Sequence, residues 1–270
     1  MNSEYQVIAA EFRGAVAYLR LTRPDKRNAI NDRMIEEMDH FLDTLPAETR
    51  AIILHAEGEH FCAGLDLVER IQNRSPDPLS GIKRSRAWHH VFTRLEHGTV
   101  PVISVLKGGV IGGGLELASA THVRVCEGST YFQLPEGQRG IFVGGGASVR
   151  VPRIIGAGRV TEMMLTGRRF DAQEGYAMGL GHYLVADGEG LAKAEELAQA
   201  IIGNSAVSNF AIINGVSTIA EMPTDSGYFA ESVLATMTAR SGDFAERTTK
   251  FFDNRRRSRE ESGHADSKTD

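Results

Sequence analysis

The sequence predicts an α/β protein built in layers, and three observations carry that prediction. Short branched apolar runs of strand length alternate with stretches of helical periodicity. The glycine cluster at 108–114 stands where a strand hands over to a helix, and the one at 144–146 also opens what reads as a helix. From Val160 onward helical patterns dominate, which adds a helical layer after the alternating part.

The elements follow in chain order. VIAAEFR and AVAYLRL are β-prone runs on either side of Arg13 and Gly14, so a hairpin is expected. NAINDRMIEEMDHFLDTL sets Ile30, Met34, Met38, Phe41, Leu42 and Leu45 close to helical spacing. AIILHAEG (51–58) is a continuous apolar run ending in glycine, a buried strand by its length and branching. NRSPDPLSG (73–81) has two prolines and no periodicity and reads as a mobile surface loop. PVISVLKGGVIGGGLELASATHVRVCEGS repeats the order strand, glycine loop, helix, strand. RVTEMMLTG, AQEGYAMGL, GLAKAEELAQAIIG and the stretch after Asp225 read as helices. RRRSREESGHADSKTD, from Arg255, lacks apolar periodicity and reads as frayed or disordered at its end.

Composition narrows the function classes. At 270 residues, 41% hydrophobic and 24% charged, the chain can bury a sizeable core. A net charge of −5 argues against a nucleic-acid groove along the protein. Cys62 and Cys126 have no metal-ligand spacing, and no apolar run reaches the length of a membrane span. The first residues lack a basic-then-apolar leader pattern, so a cytoplasmic, reducing location is expected.

The glycine loops are where chemistry concentrates. A phosphate loop needs a lysine and a hydroxyl after its last glycine, but Gly114 is followed by Leu115 and Glu116. The G-x-G-x-x-G spacing of a dinucleotide site is absent as well. The plain alternative is a tight strand-to-helix turn. A more productive reading uses the helix end itself. The first amides of a helix have no internal acceptor and sit at the positive end of its dipole. Glycine lets another molecule approach them, so they can stabilise charge that develops during a reaction. HFCAGLDL (60–67), after the strand AIILHAEG, offers a second such donor.

FCAGLDL, then GGGLELA, then FQLPEGQRGIFVGGGASVRV together resemble the crotonase (enoyl-CoA hydratase/isomerase) superfamily. RPDKRNAI is similar to its first signature and MMLTGRRFDAQEGYAMGLGHYLV to the segment after its active-site core. The likeness spans most of residues 5–190 and continues weakly through KFFDNRRR. It implies a crotonase fold, with repeated β-β-α turns in residues 1–190. A helical region would follow at 191–256, for oligomerisation or covering the ligand, and a disordered tail at 257–270.

The resemblance also implies roles. The amides of Leu65 and Gly113 would bind the thioester oxygen of an acyl-CoA. Glu116 and Glu136, twenty residues apart, match the two glutamates of hydratases. Adding water across an α,β double bond needs one proton taken and one delivered, which two carboxyls can share. Taken singly, Glu116 would be a helix-start carboxylate and Glu136 a surface residue. Ala63, Gly64, Asp66 and Leu67 would hold the adenine and pantetheine of CoA, Lys26 or Arg27 its phosphates, and Phe251 on a C-terminal helix would cover it. No metal and no cofactor is implied, coenzyme A being part of the substrate. Neither nucleic acid nor membrane is expected as a partner, and assembly into homotrimers or homohexamers is. Where the family commonly reads P-G-x-G-G-T-Q-R, this chain has Val143-Gly144-Gly145-Gly146-Ala147-Ser148-Val149-Arg150, which leaves the acyl group open. Gly137, Gln138 and Arg139 add polar groups that suit a short or heteroatom-bearing acyl chain.

The expected reaction is therefore hydration of a 2-enoyl-CoA. Isomerisation or thioester hydrolysis on the same fold, and a non-catalytic binding protein, are the alternatives. Cys62 is expected to be a small packing residue. His60, His122 and His182 lack the G-x-S-x-G elbow that a serine hydrolase would add.

Overall fold

The computed structural model describes residues 5–73 and 75–265, with side chains as far as Asp253. The chain divides into two compact units, Met1–Gly203 and Asn204–Asp270.

The first unit opens with the expected hairpin, β1 (Ile8–Arg13) and β2 (Val16–Leu21), turning through Gly14 at φ 57°. A 3-10 turn at Pro24–Lys26 leads to α1 (Asp32–Asp43), whose Asn31 side chain accepts from the Met34 amide. Then come β3 (Ala51–Ala56), α2 (Leu67–Gln72) and α3 (Pro78–Glu96). The segment expected to be a loop at 73–81 is corrected here. Pro78 stands at the first helical position with the Asp77 side chain capping the Leu79 amide, so α3 starts inside it. Proline there loses no hydrogen bond and pre-sets the helical φ.

Strands and helices then repeat in β-β-α order. The first set is β4 (Val102–Leu106), β5 (Gly109–Ile111) and α4 (Gly113–Ser119). The second is β6 (Val123–Glu127), β7 (Tyr131–Gln133), then α5 (Ala147–Ile155) and α6 (Ala157–Thr166). β8 (Phe170–Asp171), α7 (Ala172–Met178), β9 (Tyr183–Val185) and α8 (Gly190–Ile202) complete the unit.

The six-stranded sheet has the order β1-β2-β3-β4-β6-β9, parallel except at its β1 edge. Alternation along its strands sends side chains to two cores. Ala17, Leu19, Leu21, Ile52 and Leu54 join the cluster containing Phe41, Phe61, Phe92 and Phe132. Val16, Tyr18, Ile53, Ile103, Val105 and Val125 pack on the other face against Ala194 and Ala198 of α8. That packing carries α8 into the first unit, although its sequence reads as the start of a helical C-terminal region. The small sheet β5-β7-β8 is extended by a parallel bridge between Cys62 and Val110.

The second unit is helical: α9 (Ala206–Ile219), α10 (Thr224–Ala239) and α11 (Gly242–Ala265). Gly215 permits close packing of α9 on α10, since a Cβ there would lie 2.5 Å from Leu234 Cδ1. Of the tail expected to fray at 257–270, α11 takes in residues as far as Ala265, and 266–270 lie outside the described residues, as does the Arg255 side chain.

Candidate active site

Strand register builds the site. The Cys62–Val110 bridge aligns the chain after β3 with β5, so Leu65 and Gly113 lie equally far beyond the pairing. The two loops abut, because a Cβ on Gly64 (φ 89°) would sit 3.0 Å from Gly113 N and 2.6 Å from Ile111 O. Glycine is required at 64 for that approach. Around Leu65, the Ile30 amide donates to Gly64 O and the Asp66 amide to Ile30 O. The Leu65 amide points the other way along this parallel bridge. Gly113 is the first residue of α4, where an amide has no acceptor within the helix. Both amides lack an acceptor among the described residues, and both residues line one cavity of about 210 Å³.

The same register delivers the glutamates. β5 pairs with β7 through Ile111 and Gln133, and the Gly112 amide donates to Gln133 O at 2.9 Å. Glu136 follows shortly after and turns back over Gly112, where a Cβ would meet Glu136 Oε1 at 2.6 Å. Glu116 rises from the first turn of α4 into the same cavity. Its Oε1 accepts from the amides of Gly145 at 2.7 Å and Ala147 at 3.1 Å. The glycine cluster at 144–146 thus anchors a carboxylate, and Gly145 leaves no room for a Cβ between Glu116 Oε2 at 2.7 Å and the Trp88 ring at 2.8 Å.

The two carboxyls differ in surroundings. Both are nearly fully buried. Burial pushes the Glu116 carboxyl above its ordinary range, against the pull of the Ala147 and Gly145 amides. Burial, with the Glu116 charge adding to it, pushes Glu136 up to about 7. Glu136 Oε2 is buried without a hydrogen-bond partner. One carboxyl is held as an acceptor, and the other is set near neutrality to keep or release a proton.

Of the residues singled out in the sequence, Leu65, Leu67, Gly113, Glu116 and Glu136 line the cavity. Gly64 and Ala63 shape the loop behind it, the Ala63 amide donating to Arg27 O at 2.9 Å. Asp66 turns away; its side chain caps α2 through the Glu69 amide and pairs with Arg23 at 2.8 Å. Lys26 and Arg27 are exposed on and just after the 3-10 turn. Phe251 is exposed on α11 of the second unit, edge-on to Phe252 with ring centres 5.6 Å apart. Cys62 is fully buried, its thiol pushed by burial up to about 12, which suits packing. His60, His122 and His182 accept from the amides of Gly109, Val102 and Arg124 and serve the backbone.

Trp88, Arg84 and Ser85 of α3, Arg70 of α2, and Ile141 and Phe142 after Glu136 also line the cavity without having been singled out. The sequence held a signal for α3. Trp88, Val91, Phe92 and Leu95 are buried at helical spacing, beyond a proline-start cap.

Comparison with known proteins agrees with this geometry. The family described as Enoyl-CoA hydratase/isomerase matches residues 11–261. A crystal structure described as an enoyl-CoA hydratase from Rhodopseudomonas palustris is 43% identical, with TM-score 0.89 over 93% of this chain and 96% of that one. An enoyl-CoA hydratase of Mycobacterium tuberculosis is 30% identical over 91% of this chain and 96% of its own length. An enoyl-CoA isomerase/hydratase of Zymoseptoria tritici is 39% identical over 66% of this chain, the match spanning 59% of that relative. Motifs, strand register and likeness agree: this chain has the crotonase fold and belongs to the enoyl-CoA hydratase/isomerase family, whose enzymes act on CoA thioesters.

Proposed function

We propose that this enzyme adds water across the α,β double bond of a 2-enoyl-CoA in the cytoplasm. The observation that carries the reading is the convergence of two buried carboxyls and two acceptor-free amides on one cavity. The thioester oxygen accepts from the amides of Leu65 and Gly113, which draws electron density from C3 and stabilises the enolate. An amide of this kind contributes about 2.7–4 kcal/mol to lowering a barrier. A water held between the carboxyls attacks C3 and passes one proton to the Glu116 carboxylate. The Glu136 carboxylic acid delivers its proton to C2, where the electron pair of the double bond ends. Transfer of the proton from Glu116 back to Glu136 resets the pair. The two amides donating to Glu116, and the partnerless Oε2 of Glu136, support this division of roles.

The 63–67 backbone is proposed to hold the adenine and pantetheine, Lys26 and Arg27 the CoA phosphates, and Phe251 to cover the ligand. Oligomerisation into a trimer or hexamer is part of the same reading. Its support is the apolar side chains that α9 and α10 leave exposed, Phe210, Ile212, Val216, Tyr228, Phe229 and Val233.

The test is purified protein with crotonyl-CoA, followed by absorbance of the conjugated thioester and by product mass. Loss of absorbance with gain of one water is expected. Persistent absorbance, or appearance of free CoA, would sink the hydratase reading in favour of isomerisation or thioester hydrolysis.

A further inference from the structure

The acyl side of the cavity is not uniformly apolar. Arg84 lies on α3 one turn before Trp88 and lines the cavity. Its Nε and Nη2 donate to the Asp32 carboxylate at 2.8 and 3.1 Å. Its Nη1 is buried and has no partner. Arg70 of α2, half-buried, lines the same cavity and has no carboxylate partner among the described residues. Arg70 reaches across to α3 at Gly81, where a Cβ would lie 3.6 Å from its Nη2. Ser85 also lines the cavity, its hydroxyl close to Gly144.

A buried guanidinium N–H without an acceptor carries a desolvation penalty that a bound acceptor removes. Guanidinium presents paired donors that match a carboxylate. The reacting end of the cavity is marked by Trp88, whose ring lies against Gly113 and Gly145. Side chains one turn apart on a helix are separated by about 5–6 Å at Cβ, the reach of an acyl chain a few carbons long. The geometry points to an acyl-CoA substrate whose short acyl chain ends in a carboxylate, held by Arg84 and Arg70. This deepens the proposed function and rests on its premise that the acyl group occupies this cavity.

The test compares wild-type binding of glutaryl-CoA and pentanoyl-CoA, equal in acyl chain length and differing in the terminal carboxylate, by calorimetry. Glutaryl-CoA is expected to bind at least about tenfold tighter. That ratio is expected to fall toward one in Arg84→Met and Arg70→Met, with Arg84→Lys retaining part of it. Equal affinities in the wild type overturn the inference, whatever the variants do. Parallel weakening of both ligands in the arginine variants also overturns it, because the guanidiniums would then be holding CoA phosphates. Turnover is read separately with the matching 2-enoyl-CoAs. If neither is hydrated, the hydratase reading fails while the binding ratio still decides this one.

Discussion

Glu136 sits just beyond β7 with one carboxyl oxygen facing Gly112 and the other buried without a donor, and that asymmetry has two measurable consequences. The first concerns stability. The folded state keeps the Glu136 proton up to about 7, whereas the ordinary value is 4.5. Between those values the folded state binds more protons than the unfolded one, so stability falls as pH rises through this window. The loss is on the order of 3 kcal/mol. Denaturant titrations from pH 4.5 to 8 are expected to show a larger loss in the wild type than in Glu136→Gln, where the raised Glu116 carboxyl still contributes, and identical pH dependence would contradict the assignment. The second consequence is catalytic. If protonated Glu136 supplies the C2 proton, kcat/KM declines as pH rises through about 7. A rate that instead rises through that pH would assign Glu136 the role of base.

At the scale of elements, the site depends on loops pinned by distant residues. Asn28, fully buried and at φ 54°, accepts from the Arg23 amide and donates to the carbonyls of Glu57 and His60. It thereby fixes the approach of β3 to the Leu65 loop, a reason for asparagine in the RNAI segment. Asn28→Ala strands three part-buried backbone groups and is expected to cost about 1–3 kcal/mol. A loss below about 0.5 kcal/mol in urea denaturation would show that the loop does not need this tie. Gly145→Ala is a sharper probe of the site, since its Cβ would press on both Glu116 and Trp88. Loss of activity with little change in melting temperature is expected; full activity would mean that Glu116 can be displaced without consequence.

The hairpin, α1, β3 and the strand–loop–helix order around 108–119 were legible because burial imposes period-two and helical patterns directly on the residues. The glutamate and amide positions were legible through four ordered motifs, and strand register explains why they converge. What stayed hidden was the cavity wall that α2 and α3 supply. Arg84 and Trp88 belong to a helix whose first turn contains a proline and a glycine, so composition alone reads as loop. Arg70 lines the cavity from α2 with its Nη2 near Gly81 of α3, a tertiary fact without a local signature.

At the scale of the whole molecule, the helical second unit exposes aromatic and aliphatic side chains that an isolated monomer would leave in water. Sedimentation equilibrium is expected to return a trimer or a multiple of three, and charged substitutions at Phe229 and Val233 to shift it toward monomer. A wild-type monomer at micromolar concentration would contradict the proposed assembly. Among the described residues no helix is long and apolar enough to cross a membrane.

The two-carboxylate mechanism is tested most directly by hydration kinetics of wild type, Glu116→Gln, Glu136→Gln and the double variant under one set of conditions. Each single variant is expected to lose about 10²–10⁴-fold in kcat, as removal of a general acid or base does. If the carboxyls act on one water as a unit, as proposed, the double variant is expected to fall little further than the worse single. Hydration at near wild-type rate in either single variant would contradict the mechanism.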